Sequence, residues 1–198
     1  MIARLLRGMF AVTVAAGLVS ATRQRLEAAA VRRGELPAAS AAAQLEPRVR
    51  YSQVARWLAA WVPSSPATPL GRVLASAWAG PFTVVGFVLA LLAGRRPRWD
   101  PTLGCFVVTG MRGPSSRLLR ALGADANTIG QVVLSTPADP SPVLLAHEAV
   151  HARQAERLGP LLLPTYLFLG ARYGYRDNPL ERAARTGAHR FRTEQQAH

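Results

Sequence analysis

His147-Glu148-Ala149-Val150-His151 puts two imidazoles four residues apart with a carboxylate between them. An α-helix turns about 100° per residue, so positions four apart share a face and two neutral ring nitrogens can address one divalent ion. This is the layout of a catalytic zinc site, with Glu148 placed to take a proton from water and not to bind the metal. The flanking residues predict the helix that the layout needs. Asp139-Pro140-Ser141-Pro142 offers an Asp or Ser able to cap orphan amides, followed by a proline tolerated in the first turn. Leu158-Gly159-Pro160 reads as the last helical residue, a glycine able to turn left-handed, and a proline that ends the helix. Between these signals Val143, Ala146 and Val150 form a short apolar stripe, while Arg153, Gln154, Glu156 and Arg157 read as the polar side. The competing reading is a pair of surface or core histidines without metal.

A catalytic zinc ion takes three protein ligands and keeps one position for water. Downstream of His151, Asp177-Asn178-Pro179-Leu180-Glu181-Arg182-Ala183-Ala184, with Glu181 thirty residues on, predicts a second helix, capped by Asn178 with Pro179 in its first position. Glu181 in its first turn is the candidate third ligand. Two other roles compete for it: Asn178 and Glu181 have capping-box spacing, and Arg185 stands four residues on as an ion-pair partner. Asp177, Glu156 and His189 are reserve ligands.

HEAVH followed by Glu181-x-x-Ala184 resembles the gluzincin-type zinc metallopeptidases, in which two histidines and a downstream glutamate bind zinc. Residues 147–184 are also similar to a group of uncharacterised bacterial membrane-associated proteins carrying the same two blocks, and the resemblance covers roughly residues 100 to 190. It implies Zn²⁺ as cofactor, His147, His151 and Glu181 as ligands, Glu148 as general base, and a peptide or protein as substrate. One departure is that Arg185 stands where many gluzincins have an aspartate that orients a ligating histidine. Either Asp177 replaces it or the orienting carboxylate is absent. Tyr166, Tyr173, Tyr175, Arg176 and His189 are all chemically able to stabilise an oxyanion.

Strands are expected at Cys105–Thr109, bounded by glycines, and at Thr128–Leu134, where Gly130 indicates a bulge or a close backbone approach. Ser115 to Leu122 reads as a short helix. In zinc peptidases of the type resembled, a sheet edge near the metal helix receives extended substrate.

Val73 to Ala93 runs without a formal charge between Arg72 and Arg95-Arg96, a length suited to a bilayer core. Gly80-Pro81 interrupts it, so a kinked spanning helix and a re-entrant hairpin both fit, beside a buried hairpin in a soluble core. Leu161 to Gly170 is apolar but too short to span. Arg4 and Arg7 before an apolar run to Val19, with Val19-Ser20-Ala21 as a small-residue cleavage site, read as a secretory signal or anchor, or as an ordinary first helix. Residues 22 to 50 are rich in Ala and Arg and able to bury little.

The expected fold class is therefore α+β: a small zincin-like core over 98–192, with a few short strands, the HExxH helix and the downstream Glu helix. Ahead of it come a signal or anchor segment over 1–21, an Ala/Arg-rich segment with a Pro-rich linker over 22–69, and a membrane-inserted helix or hairpin over 70–94. The expected location is a bacterial inner membrane. Arg95, Arg96 and Arg98 favour a cytoplasmic catalytic domain, whereas Arg23 to Arg56 favour the reverse. A net charge of +13 invites polyanions, but all the basic residues are arginine, scattered without a basic, aromatic-interleaved stripe. Lipid headgroups are the expected partner, with no specific nucleic acid. The lone Cys105 excludes an intramolecular disulfide. Against the hydrolase stands a non-catalytic membrane protein whose HExxH site is structural or degenerate.

Overall fold

A computed structural model describes residues 2–35, 47–113, 116–117 and 125–196. It holds six helices among these residues: α1 (Ile2–Arg32), α2 (Gln53–Ala60), α3 (Pro69–Leu92), α4 (Pro142–Leu158), α5 (Leu162–Tyr173) and α6 (Pro179–Gln196). Four short strands, β1 (Arg98–Asp100), β2 (Cys105–Val108), β3 (Ala126–Ile129) and β4 (Val132–Ser135), complete a mixed helix-and-sheet fold. The chain's contacts form two compact units, Met1–Ala60 with Leu163–Arg182, and Trp61–Leu162 with Ala183–His198.

The second unit carries the sheet, in the order β1-β2-β4-β3. β2 and β4 are parallel, and the two outer pairings are antiparallel. Successive side chains of a strand point to opposite faces, and β4 is buried on both. Val132 and Leu134 join Val108, Met111 and Ala90 of α3 in one core, while Val133 joins Cys105 and Ala152 of α4 in another. The sheet is thus sandwiched between α3 and α4.

The single strand expected over Thr128–Leu134 is instead a hairpin. β3 and β4 are joined by the two residues Gly130-Gln131, with Ile129 opposite Val132. Gly130 has φ +64 at the first central position of the turn, which two-residue hairpins reserve for glycine. Its close approach to backbone, foreseen from the sequence, is real: a Cβ there would collide with the Thr83 backbone of α3. Thr83 receives the turn by accepting a hydrogen bond from Gln131 N at 3.1 Å, while its hydroxyl donates to Ala79 O at 3.0 Å.

α3 is one helix through Gly80-Pro81, so neither hairpin alternative holds. It starts at the expected break: Thr68 caps it by accepting from Gly71 N, and Pro69 opens it. The helix is long and apolar enough to cross a membrane.

α4 also departs from its sequence reading. Arg153, Gln154 and Glu156, read as its polar side, are all buried. They are inside because they bond to one another and to neighbouring polar groups there, with Glu156 Oε2 the one carboxylate oxygen of the group left without a hydrogen bond. Arg153 donates to Glu156 and to the carbonyls of Leu103 and Gly104, and Gln131 donates to Glu156 Oε1 at 2.7 Å and lies 3.2 Å from Ser76 Oγ.

In the first unit, α1 runs unbroken through Val19-Ser20-Ala21 into the Ala/Arg-rich segment and ends at Arg32. Glu27 Oε2 accepts from Arg176 N at 2.7 Å, and Tyr51 stacks edge-on against Tyr173 while its hydroxyl donates to Asp177 O at 2.5 Å. The remainder of the Ala/Arg-rich segment at 36–46, and most of the helix expected over 115–122, lie outside the described residues.

Candidate metal centre

The HEAVH helix is bounded as its flanks predict. Ser141 caps it by accepting from Leu144 N at 3.2 Å, Pro142 is its first residue, and Gly159 ends it at φ +52. One turn apart on this helix, His147 Nε2 and His151 Nε2 face each other at 3.2 Å. Two imidazoles bound to one tetrahedral zinc at 2.0–2.1 Å would hold their nitrogens about 3.3 Å apart. The spacing therefore suits a shared ion.

A further residue fixes which nitrogen does this. His151 is buried, and its Nδ1 lies 2.8 Å from Gln154 Oε1, an acceptor, so Nδ1 carries the proton and Nε2 keeps its lone pair.

Glu181 arrives on α6. Gly187, midway along α6, stands against Val150 of α4, so close that a Cβ there would lie 2.6 Å from Val150 Cγ2. The first turn of the same continuous helix carries Glu181. That turn is set by Asn178, whose Oδ1 accepts from Leu180 N at 3.1 Å and whose Nδ2 donates to Tyr166 O at 3.2 Å. The Glu181 carboxylate is 3% exposed and accepts from the Tyr166 hydroxyl at 2.8 Å. One ligand atom from each of His147, His151 and Glu181 lies within 4.8 Å of the others. The donors, two imidazoles and a carboxylate, are those that zinc prefers in catalytic sites, so the residues present fit the ion.

Glu148 is 5% exposed, on the part of α4 that faces the hairpin. The Thr128 hydroxyl of β3 lies 2.7 Å from its Oε2 and 3.0 Å from its carbonyl oxygen, and shares its proton between them. The reserve ligands lie elsewhere. Glu156 belongs to the Arg153–Gln131 network, Asp177 lies 3.8 Å from Arg182, and the metal-binding group among the described residues does not include His189. The residue against the His151 Nδ1 is Gln154, so Asp177 is not what orients that ring. Of the candidates for oxyanion stabilisation, Tyr166 donates its hydroxyl to Glu181, a member of the group. Tyr173 packs against Tyr51, and the Arg176 amide is bound to Glu27.

Sequence reasoning missed Gln154 and Thr128 as parts of the site, and named Tyr166 only as one of five candidates for oxyanion stabilisation and not as a partner of Glu181. A signal existed only for Gln154, three residues past His151 on one helix face. Cys105 lies in the core below α4, where burial pushes its thiol up to about 12, partly opposed by the positive charge of Arg153. It is an inert core thiol. No protein-family model matches this chain, and no match to it was found among curated proteins or solved structures.

Proposed function

We propose that this chain is a membrane-associated zinc-dependent hydrolase of the gluzincin type, most economically a peptidase. The observation that carries the reading is the convergence of His147, His151 and Glu181 donor atoms to within 4.8 Å. That trio combines a short helical motif with a carboxylate thirty residues away, and it is the set to which the sequence pattern points. His147 and His151 would hold the ion through Nε2, and Glu181 through its carboxylate. When bound, zinc supplies Lewis-acid chemistry, polarising a carbonyl and acidifying water.

The chain's own residues do the rest. Gln154 keeps His151 in the tautomer that offers Nε2, and Tyr166 holds the Glu181 carboxylate by donating to Oε1. Glu148 is the general base. It accepts a proton from the attacking water and returns it to the leaving amine, with Thr128 holding its carboxylate. Membrane association is supported by the 24-residue α3.

One observation favours a second reading. The same Thr128 contact makes Glu148 a tie between β3 and α4, as it would be around a metal that only stabilises the fold. A single variant separates the two. The purified full-length chain is expected to hold one zinc ion by elemental analysis and to cleave an unstructured protein substrate. Glu148→Gln should keep the zinc and lose turnover by about 100-fold or more. Undiminished turnover in Glu148→Gln would leave only the structural metal, and a wild-type chain that takes up no transition metal removes both readings.

A further inference from the structure

A helix at the centre of a soluble fold buries its large apolar side chains and exposes its small ones. α3 does the reverse. Its buried residues are Ala75, Ala79, Thr83, Gly86 and Ala90, spaced by three and four, and they form one stripe of small side chains. That stripe lets the hairpin close in, since a Cβ on Gly86 would lie 2.8 Å from both Ile129 O and Val132 Cβ. On the opposite side of the helix, Leu70, Val73, Leu74, Val84, Val88 and Leu91 are exposed, Leu70 by 67% and Val84 by 60%. This outer face carries no charge along the whole of a helix about 36 Å long.

Length alone would let α3 cross a bilayer, but its own unit stands in the way. The sheet and its hairpin lie beside α3 from Ser76, which meets Gln131, to Ala90, which meets Val108 and Leu134. That is about 21 Å of a hydrocarbon core about 30 Å thick. Phe87 stacks on Phe106, and Phe106 on Trp99, so β1 with the exposed Arg98 stands level with the second half of α3. Among the described residues β1 and β3 are the two edge strands of the sheet. Open sheet edges and solvated guanidinium groups do not occur in lipid hydrocarbon, so a crossing α3 would carry them where they cannot go.

We infer that α3 lies in the plane of a bilayer surface as a one-sided anchor, its outer apolar face in the lipid and the sheet above it on the water side. In an ordinary interfacial helix the upper face is polar. Here the protein's own domain takes that place. The occupant of the face is an anionic lipid surface. The chain carries a net charge of +13, Arg72 lies at one end of the helix and Arg96 just beyond the other, and Trp99 is half exposed at the second end, where an interfacial ring would sit. This inference rests on the membrane association proposed above and is independent of the zinc chemistry.

The test is depth. Single cysteines replacing Leu70, Val84 and Leu91 in the full-length chain are labelled with a polarity-sensitive fluorophore, the buried native Cys105 staying silent. The chains are then bound to phosphatidylcholine vesicles containing phosphatidylglycerol, with bromines at different acyl depths. All three positions should report the same shallow depth, and Val84→Asp with Val88→Asp should weaken partitioning by about tenfold or more. A label at Val84 much deeper than those at Leu70 and Leu91 overturns the in-plane seating and leaves a crossing helix. Labels that no lipid quenches, with a dimer by light scattering, give the face to a second copy and overturn the anchor itself. Neither result touches the zinc content of the wild-type chain, so the anchor and the hydrolase fail separately.

Discussion

At the scale of single residues, Gln154 decides the most for the candidate centre, because its amide oxygen is what commits His151 to presenting Nε2. Replacing it with leucine keeps the bulk and removes the acceptor. Gln154→Leu should therefore weaken zinc affinity by about 10- to 100-fold while leaving the helix in place, read by competition with a chromophoric chelator and by circular dichroism. Unchanged affinity would show that the ring is positioned by packing alone. The two histidines and Glu148 were readable from the sequence because four-residue spacing and helix capping are local facts. Glu181 is readable as a candidate donor only together with them. Gln154 reads as an outward residue because apolar patterning assigns polar residues outward, whereas in the second half of α4 Arg153, Gln154 and Glu156 are buried, with the Leu103–Gly104 carbonyls and Gln131 among their partners. Tyr166 and Thr128 reach the site through tertiary contacts that no spacing encodes.

Cys105 makes a prediction about pH at the same scale. Its thiol is pushed from an ordinary value of 9.0 to about 12 by burial, so the folded chain holds that proton more tightly than the unfolded chain does. The contribution to stability is complete below the ordinary thiol value and is lost as pH rises between the two values, at up to about 1.4 kcal/mol per pH unit. Cys105→Ala should remove this part of the alkaline slope in denaturant titrations. An unchanged slope would place the titration in another group.

Among elements, the β3–β4 hairpin ties the sheet to α3. Gly130 combines a left-handed φ with a backbone contact that leaves no room for a Cβ. Gly130→Ala should cost at least about 2 kcal/mol in urea unfolding, since backbone strain and collision add. A neutral result would mean that the turn can swing away from Thr83. By comparison, Ser141→Ala removes one exposed cap and should cost about 1 kcal/mol. The hairpin reads as a single strand because Thr128 to Leu134 is rich in β-branched and aliphatic residues with one glycine inside it. Bulge and turn share that pattern, and Thr83, some fifty residues earlier, selects the turn. β1 went unread for a simpler reason: Arg98-Trp99-Asp100 is too short and too charged to show alternation, and it is a strand because Cys105–Val107 offers it an edge.

For the whole molecule, the two helices that supply the donors give a measurement that does not require a substrate. An ion shared by α4 and α6 binds the folded chain and not the unfolded one, so it must raise the unfolding temperature by mass action. At a free zinc concentration about 100 times its dissociation constant the gain is about 2.7 kcal/mol. For a chain of this length that corresponds to roughly 5–10 °C. His151→Ala should abolish the shift, because the remaining imidazole and carboxylate no longer close around one ion. Glu148→Gln should retain it in full, because that carboxylate is engaged by Thr128 and is not among the donors. The pairing of these variants is what gives the measurement its force: a shift lost in both would mean that Glu148 helps to hold the metal, and identical unfolding of the wild-type chain with zinc and with chelator would show that the three side chains meet for a reason other than an ion.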